Sequence, residues 1–348
     1  MGFLRNMLTN YVSFKYLINE EKVSDSNLNV LKKLNLLMHG FSSEKYDLYN
    51  FAKNNQKGYL SDFQRRKTYR INNKYAIIIN DKNVFEKLLE NDNITATNYG
   101  HISNGEIYIN RKHSDFEKLV EIIKEKGQLI IKKTIGGGGK GIYKIAFSDD
   151  TFYIDDEDHS LEKLKAFIYN LKNHIIQEYI SQADYSYNIY QGTINSIRIL
   201  TMRDPETNEA FIATAVHKFG SEKTKPADNV WKGGMTALVN LETGVLQRSA
   251  YHHKDNKKIE WKDTHPDTCV KIEGTVIPNW EQVKDKVINL MNELSYLNYV
   301  GWDVVVTNDG VKVIEGNNYS DVNILQIHAP LLVNDRVKKF YKHYGIIK

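Results

Sequence analysis

The chain has 348 residues, enough for about two domains and for a core that buries about three quarters of its unfolded surface. Its 47 basic and 43 acidic residues leave a net charge of +4 with no block of like charge, so the sequence does not indicate a nucleic-acid or membrane footprint. A single cysteine, Cys269, excludes an internal disulfide and a Cys-based zinc knuckle.

No apolar run nears the ~18 residues of a membrane span. The N-terminus mixes Arg5, Asn6 and Asn10 into its apolar residues and does not read as a signal peptide. A globular, cytoplasmic protein is expected, with no signal of its oligomeric state.

Helical, polar texture opens the chain. Leu28, Leu31, Leu34 and Leu37 recur at helical spacing, broken by Gly40 and Gly58. Residues 75–79 read as a strand, and Asp81 is placed to cap a helix carrying Val84, Phe85, Leu88 and Leu89. Ser114 with Glu117 reads as a capping box, for a helix that stops at Gly127. Residues 129–132 and 142–147 read as strands on either side of a glycine loop. A helix over 161–171 leads into an apolar strand at 175–180. Between Ile194 and Tyr251, turns at Asp204-Pro205 and Glu242-Thr243-Gly244 separate several strands. Pro278 starts a long amphipathic helix, and a hairpin over 302–316 precedes a last helical segment. Helices and antiparallel strands alternate in blocks, which predicts α+β layers and not a doubly wound parallel sheet.

The loop Gly136-Gly137-Gly138-Gly139-Lys140-Gly141 fails as a Walker A motif, because Ile142 stands where lysine is required. It has the glycine spacing of a dinucleotide fingerprint, but strand-like alternation follows where that fingerprint needs a helix. What is left is a flap between two antiparallel strands. Its backbone N–H groups, from Gly137, Gly138, Gly139 and Lys140, can fold over phosphates, or the loop is a plain hairpin tip. Lys132, in an otherwise apolar strand, calls for an anionic partner unless it reaches water from a sheet edge.

The hairpin carries a second constellation. With Thr307 opposite Val311 across Asn308-Asp309-Gly310, Asp303 falls opposite Glu315. Glu315 and Asn317 share a face, so two carboxylates and an amide oxygen meet on one surface, with Val304, Val306, Lys312 and Ile314 on the other. Opposed carboxylates need a cation, and hard divalent ions such as Mg²⁺ take this ligand set. The alternative is pairing of Asp303 and Glu315 with nearby Lys or Arg.

Taken in order, these elements resemble an ATP-grasp protein. Lys82, leading a helix, and Lys132, ahead of the glycine loop, match the superfamily's two nucleotide lysines. Gln177-Glu178-Tyr179-Ile180 resembles the hinge that reads adenine, with Glu178 and the backbone of Tyr179 and Ile180 facing the base. Asp303, Glu315 and Asn317 match the metal trio. Thr193-Ile194-Asn195-Ser196-Ile197-Arg198, Asp228-Asn229 with Gly233-Gly234, Leu241-Glu242-Thr243-Gly244, His265-Pro266-Asp267-Thr268 and Glu315-Gly316-Asn317-Asn318 narrow the resemblance to the sugar-transfer-associated ATP-grasp family. Its members have a helical N-terminal region where other ATP-grasp proteins have a Rossmann-like domain. This chain departs at Lys218, where Arg is expected, and at Asn240, where Asp is expected, both expected near the acceptor site.

The resemblance implies an ATP-grasp fold of two α+β lobes holding ATP between antiparallel sheets. The expected division is a helical region over 1–75, a first lobe over 76–180 and a second over 181–348. It implies ATP and Mg²⁺, as two ions, and a carboxylate–amine ligase working through an acylphosphate on a sugar or amino-acid precursor of bacterial capsule polysaccharide. The acceptor would be a small molecule, a nucleotide sugar or a saccharide. Arg198 is the candidate donor to the acyl oxyanion, or else a structural ion pair, and Lys218 with His217 the candidate anchor for an acceptor carboxylate or phosphate. Two other readings share the scaffold: a kinase that phosphorylates a hydroxyl, and a nucleotide-binding scaffold without turnover. His252, His253 and His265 have no metal-ligand spacing, and the 22 tyrosines fit a β-rich core better than a sugar cleft.

Overall fold

Sequence-local signals place most helix ends. In the computed structural model, which describes residues 2–89, 94–136, 141–253 and 258–348, the chain opens with α1 (Gly2–Lys22), α2 (Val30–Met38), α3 (Lys45–Leu48) and α4 (Asp62–Thr68). Asn29 caps α2, and Ser61 with Gln64 forms a reciprocal capping box on α4. The strand expected at 75–79 is helical instead: a 3₁₀ turn, Asn73–Ala76, runs into α5 (Ile77–Asn80). A short apolar run carries no decisive period, and tertiary packing settles it by burying Ile79 against the second sheet. Asp81 caps α6 (Lys82–Leu88) as expected, accepting from the Asn83 and Val84 N–H groups.

Two antiparallel sheets follow. The first holds β1 (Asn98–Ser103), β2 (Glu106–Ile109), β3 (Lys112–Ser114), β4 (Gln128–Lys133), β5 (Ile142–Ser148), β6 (Thr151–Ile154), β7 (Glu157–His159) and β8 (His174–Glu178), in the order β3-β2-β1-β8-β4-β5-β6-β7. Helices α7 (Phe116–Lys126) and α8 (Leu161–Tyr169) cover one face: Phe116, Leu119, Ile123, Leu164 and Ile168 pack on Leu129, Ile131, Ile145 and Ile176. Strand alternation then turns Ile130 and Lys132 to the opposite face. Asp115, and not Ser114, caps α7, because Ser114 is still pairing in β3; the helix ends at Gly127 with φ of 72°.

After α9 (Asp184–Ile189) comes the second sheet: β9 (Ile197–Arg203), β10 (Ala210–Phe219), β11 (Met235–Val239), β12 (Leu246–His252) and β13 (Ile259–Lys262), then β14 (Tyr299–Thr307) and β15 (Gly310–Asn317). Its order is β13-β12-β11-β10-β9-β14-β15. Between β13 and β14, α10 (Trp280–Glu293) buries Val283, Val287, Leu290 and Met291 against Ile197, Ile199, Val300, Trp302 and Val304. The α+β class read from the sequence is the class found. Among the described residues no helix is long and apolar enough to cross a membrane.

The hairpin departs from its expected register in an informative way. Thr307 pairs with Gly310 and Val304 with Val313, one step tighter than a three-residue loop would give. A bulge at Ile314 then restores Asp303 opposite Glu315. The extra residue sends Ile314 and Glu315 to the same side, so Ile314 lines the cleft instead of the far face. Lys312 likewise leaves the far face and donates to the Thr95 carbonyl at 3.1 Å.

Gly316 lets α5 approach the hairpin: a Cβ there would lie 2.9 Å from Trp302 Cζ3 and 3.0 Å from Ile79 Cγ2. Both neighbours are stiff, so Gly316→Ala is expected to lower the unfolding free energy by about 1–3 kcal/mol in urea titrations. A variant as stable as the parent would contradict this packing.

Candidate functional site

Between the sheets lies a cleft of about 570 Å³. Ten of the residues singled out in the sequence line it: Lys82, Lys132, Glu178, Tyr179, Ile180, Arg198, Lys218, Asp303, Glu315 and Asn317. Gly137, Gly138, Gly139 and Lys140 lie outside the described residues, and Gly136 at their border lines the cleft.

One wall follows from the second sheet's register. Arg198 in β9 stands directly opposite Asp303 in β14, and Asp303 opposite Glu315 in β15. The guanidinium grips Asp303 with both ends, Nε to Oδ1 and Nη2 to Oδ2, each at 2.8 Å. Lys218 Nζ reaches Asp303 and Asp228 at 3.3 Å each. Burial alone would raise the Asp303 carboxyl, but Arg198 and Lys218 outweigh it and hold it well below the usual carboxylate range. Burial likewise disfavours the charge on Lys218, and Asp228 and Asp303 more than compensate, so its ammonium is held above the ordinary lysine value.

The first sheet and α6 supply the opposite charges. Lys82 Nζ lies 3.1 Å from Glu315 Oε2 and donates to the Gly136 carbonyl, also at 3.1 Å. Lys132 is buried, 3.7 Å from Glu86 Oε1 and 3.4 Å from the Ile314 carbonyl. Burial pushes the Lys132 ammonium down and the Glu86 carboxyl up, each partly opposed by the other's charge. Glu86 was not singled out in the sequence. Its signal was available, since it falls one helical turn after Lys82 on the buried face of α6.

Beyond Glu178 the edge of β8 is open. Among the described residues no group bonds to the backbone N–H or C=O of Tyr179 or Ile180. Ala96, Ile180 and Ile314 make this end apolar. The Glu178 carboxylate accepts the Thr97 N–H at 2.8 Å; despite burial, this bond and Lys312 keep it below the ordinary glutamate range.

Other expectations resolve differently. His217 lies on the far face from Lys218, stacked on Phe219 and bonded to Tyr185 Oη at 2.9 Å, and burial pushes it down to about 3. It is a neutral core residue. Asn240 is exposed in the β11–β12 turn, accepting from the Glu242 and Thr243 N–H groups, and does not line the cleft. A further wall residue was missed: Asp321, which accepts Trp231 Nε1 at 2.6 Å and is backed from outside the cleft by Arg65 of α4 at 3.4 Å. Both pairings are long-range and leave no local pattern.

The predicted metal trio converges. Asn317 Nδ2 lies 3.5 Å from Asp303 Oδ2 and 3.5 Å from Glu315 Oε1. Turning the amide over, which gives up the 3.1 Å bond from Nδ2 to the Gly301 carbonyl, presents its oxygen to the same point, and two carboxylates with one amide oxygen are a donor set that fits a hard divalent ion. Among the described residues no three His, Cys, Asp or Glu side chains could hold a metal by themselves.

Two antiparallel lobes gripping a cleft, with lysines on one wall and a carboxylate hairpin on the other, define the ATP-grasp architecture. The chain belongs to the sugar-transfer associated ATP-grasp family, whose model matches residues 62–342. No curated protein matches it in sequence. Among solved structures it is similar to the ATP-grasp ligase PsnB complexed with a phosphomimetic variant of minimal precursor, Mg and ADP, at 14 % identity over 76 % of this chain and 61 % of that chain, with a TM-score of 0.38. D-alanine–D-alanine ligase from Bacillus anthracis is similar at 13 % identity over 92 % of this chain and 95 % of that one, with a TM-score of 0.42. N5-carboxyaminoimidazole ribonucleotide synthetase from Thermotoga maritima is similar at 12 % identity over 78 % and 50 %, with a TM-score of 0.41. The chain thus spans 61 % of the length of the PsnB chain and half of that synthetase.

Removing one partner of a buried ion pair strands the other. Arg198→Ala is therefore expected to cost about 3 kcal/mol of stability at neutral pH. Because Asp303's folded pKa is depressed, this contribution is present above the ordinary carboxylate range and is lost as pH falls through and below it. Urea titrations of parent and variant from neutral to acid pH should show the gap narrowing; a gap independent of pH would contradict the pairing.

Proposed function

We propose that this protein is an ATP- and Mg²⁺-dependent ligase that activates a carboxylate and joins it to an amine. One observation carries the reading: residues from α6, β4, β8, β9, β10, β14 and β15 line a single cleft, with Lys82 reaching Glu315 across it and Lys132 held beside Glu86 of α6 on its own wall. A nucleotide's phosphates and their divalent ion bring those same two signs of charge. We assign residues 76–180 and 181–348 to the two lobes, with 1–75 as the helical region, and place the protein in the cytoplasm.

In this reading the open backbone at Tyr179 and Ile180, with Glu178 beside it, reads the adenine edge. Lys132 and Lys82 take up phosphate oxygens, helped by the amides of Gly137, Gly138, Gly139 and Lys140. Asp303, Glu315 and Asn317 would hold Mg²⁺, and two ions would fit the usual demand of phosphoryl transfer. When bound, Mg²⁺ neutralises charge on the phosphates. The substrate carboxylate attacks the γ-phosphorus, ADP leaves, and an acylphosphate forms. The amine then attacks the acyl carbon and inorganic phosphate departs with the C–O bond electrons, the amine's proton passing to solvent.

Arg198 has two of its three nitrogens on Asp303, so Nη1, 3.5 Å from Ser320 Oγ, is the one free to face the acyl oxyanion. Lys218 borders the acceptor end, near Asp228 and Trp231. An aromatic ring beside carboxylates suits a saccharide, so we place the acceptor among sugar or amino-acid precursors of capsule polysaccharide.

Incubation with ATP, Mg²⁺, hydroxylamine and a panel of uronic and amino acids tests the reading. The expected outcome is a hydroxamate formed one-to-one with ADP. A stable phosphorylated product would sink the acylphosphate and favour a kinase; no ADP with any acceptor would favour a scaffold. Lys132→Met should weaken ADP binding by about tenfold or more in calorimetry, since it removes a buried charge from the phosphate path.

A further inference from the structure

The exposed large apolar side chains of the described residues crowd into the first two helices. On α1, Met7, Tyr11 and Phe14 fall at i, i+4 and i+7 with Leu8 beside them, each between 55 % and 65 % exposed. On α2, Val30, Leu31, Leu34 and Met38 make a second outward stripe, between 51 % and 78 % exposed. The faces these helices bury are different ones, through Ser13 and Leu17 on α1 and Leu36 on α2. Single exposed apolar residues are ordinary, but stripes on two successive helices mark a surface that something covers.

Charge says what. The acids of α1 turn inward: Glu21 accepts the Ser43 N–H at 2.6 Å and its hydroxyl at 2.8 Å, and Glu20 is half-buried toward Lys45 and Tyr16. Lys15 and Lys22 stay exposed on α1, and α2 carries Lys32 and Lys33 with no acid, against one aspartate, Asp25, in the connection. A second copy of the chain would bring these lysines against one another, whereas an anionic surface complements them.

We propose that α1 and α2 form a docking surface for an anionic lipid bilayer. Met7, Leu8, Tyr11 and Phe14 enter the headgroup–acyl boundary while Lys15 and Lys22 meet the lipid charges. The helices lie on the membrane and do not cross it. The net charge of the whole chain conceals this, because the cations and the inward-turned acids cancel in the sum.

The full chain should float with phosphatidylcholine vesicles containing phosphatidylglycerol, and bind at least about tenfold more weakly to phosphatidylcholine alone. Leu8→Glu with Phe14→Glu should abolish flotation without moving the thermal midpoint, since both side chains are exposed. Lys15→Glu with Lys22→Glu should weaken binding by about tenfold. Three outcomes would overturn the proposal: no flotation of the parent chain, equal binding to both vesicle types, or a dimer in sedimentation that the Leu8 and Phe14 substitutions dissolve.

Discussion

The two-pronged grip of Arg198 on Asp303 organises the site. Both groups are buried, and burying an ion pair costs about as much as it returns, so the pair is a weak source of stability and a strong source of position. Its value lies in register. Cross-strand pairing puts Arg198, Asp303 and Glu315 in one row across β9, β14 and β15, and Lys218 joins it from β10. Alternation along those strands buries Ile197, Ile199, Trp302 and Val304 beneath the row, against α10. The apolar face therefore fixes the height and spacing of the charges. Slipping β14 by one residue would put Asp303 into the core, which its charge forbids.

The second wall is tied to the first through the charges themselves. Lys82 leads α6, a helix whose Phe85 packs in the core of the second sheet, yet its main-chain N–H bonds the Thr134 carbonyl just past β4 of the first sheet. Lys132 leaves the first sheet and bonds the Ile314 carbonyl on the bulge. The bulge shapes the cleft: one extra residue turns Ile314 and Glu315 together into it, one as apolar floor and one as carboxylate. The N-terminal helices brace the far end. Arg65 backs Asp321, and Asn72 donates to the Tyr299 carbonyl while accepting the Asn298 and Tyr299 N–H groups.

Much of this was legible in the sequence because it is written locally. Asp81 as a cap, Gly127 as a helix stop, the strand alternation at 129–132 and the hairpin that opposes Asp303 to Glu315 all depend on residues close in the chain. Ordered matches along the chain then suggested which pieces belong to one site. What escaped is non-local. Residues 75–79 became helical because Ile79 and Gly316 meet, and no pattern near Ile79 announces that. His217 was grouped with Lys218 by adjacency, although neighbours in a strand face opposite ways. Asn240 was taken toward the acceptor end, but its side chain is spent on its own turn. The pairings of Lys132 with Glu86 and of Asp321 with Arg65 become visible only once the layers are assembled, although the place of Glu86 one helical turn after Lys82 was legible.

The proposed function requires that the carboxylate hairpin and the facing lysines form one nucleotide–metal site. Calorimetric titration of ATP with Mg²⁺ and with EDTA, on the parent chain and on Glu315→Gln, tests it most directly. ATP should bind the parent at least about tenfold more tightly with Mg²⁺ than without it, and Glu315→Gln should lose that advantage. Equal ATP affinity with and without Mg²⁺ in the parent, or an unchanged Mg²⁺ advantage in Glu315→Gln, would contradict it.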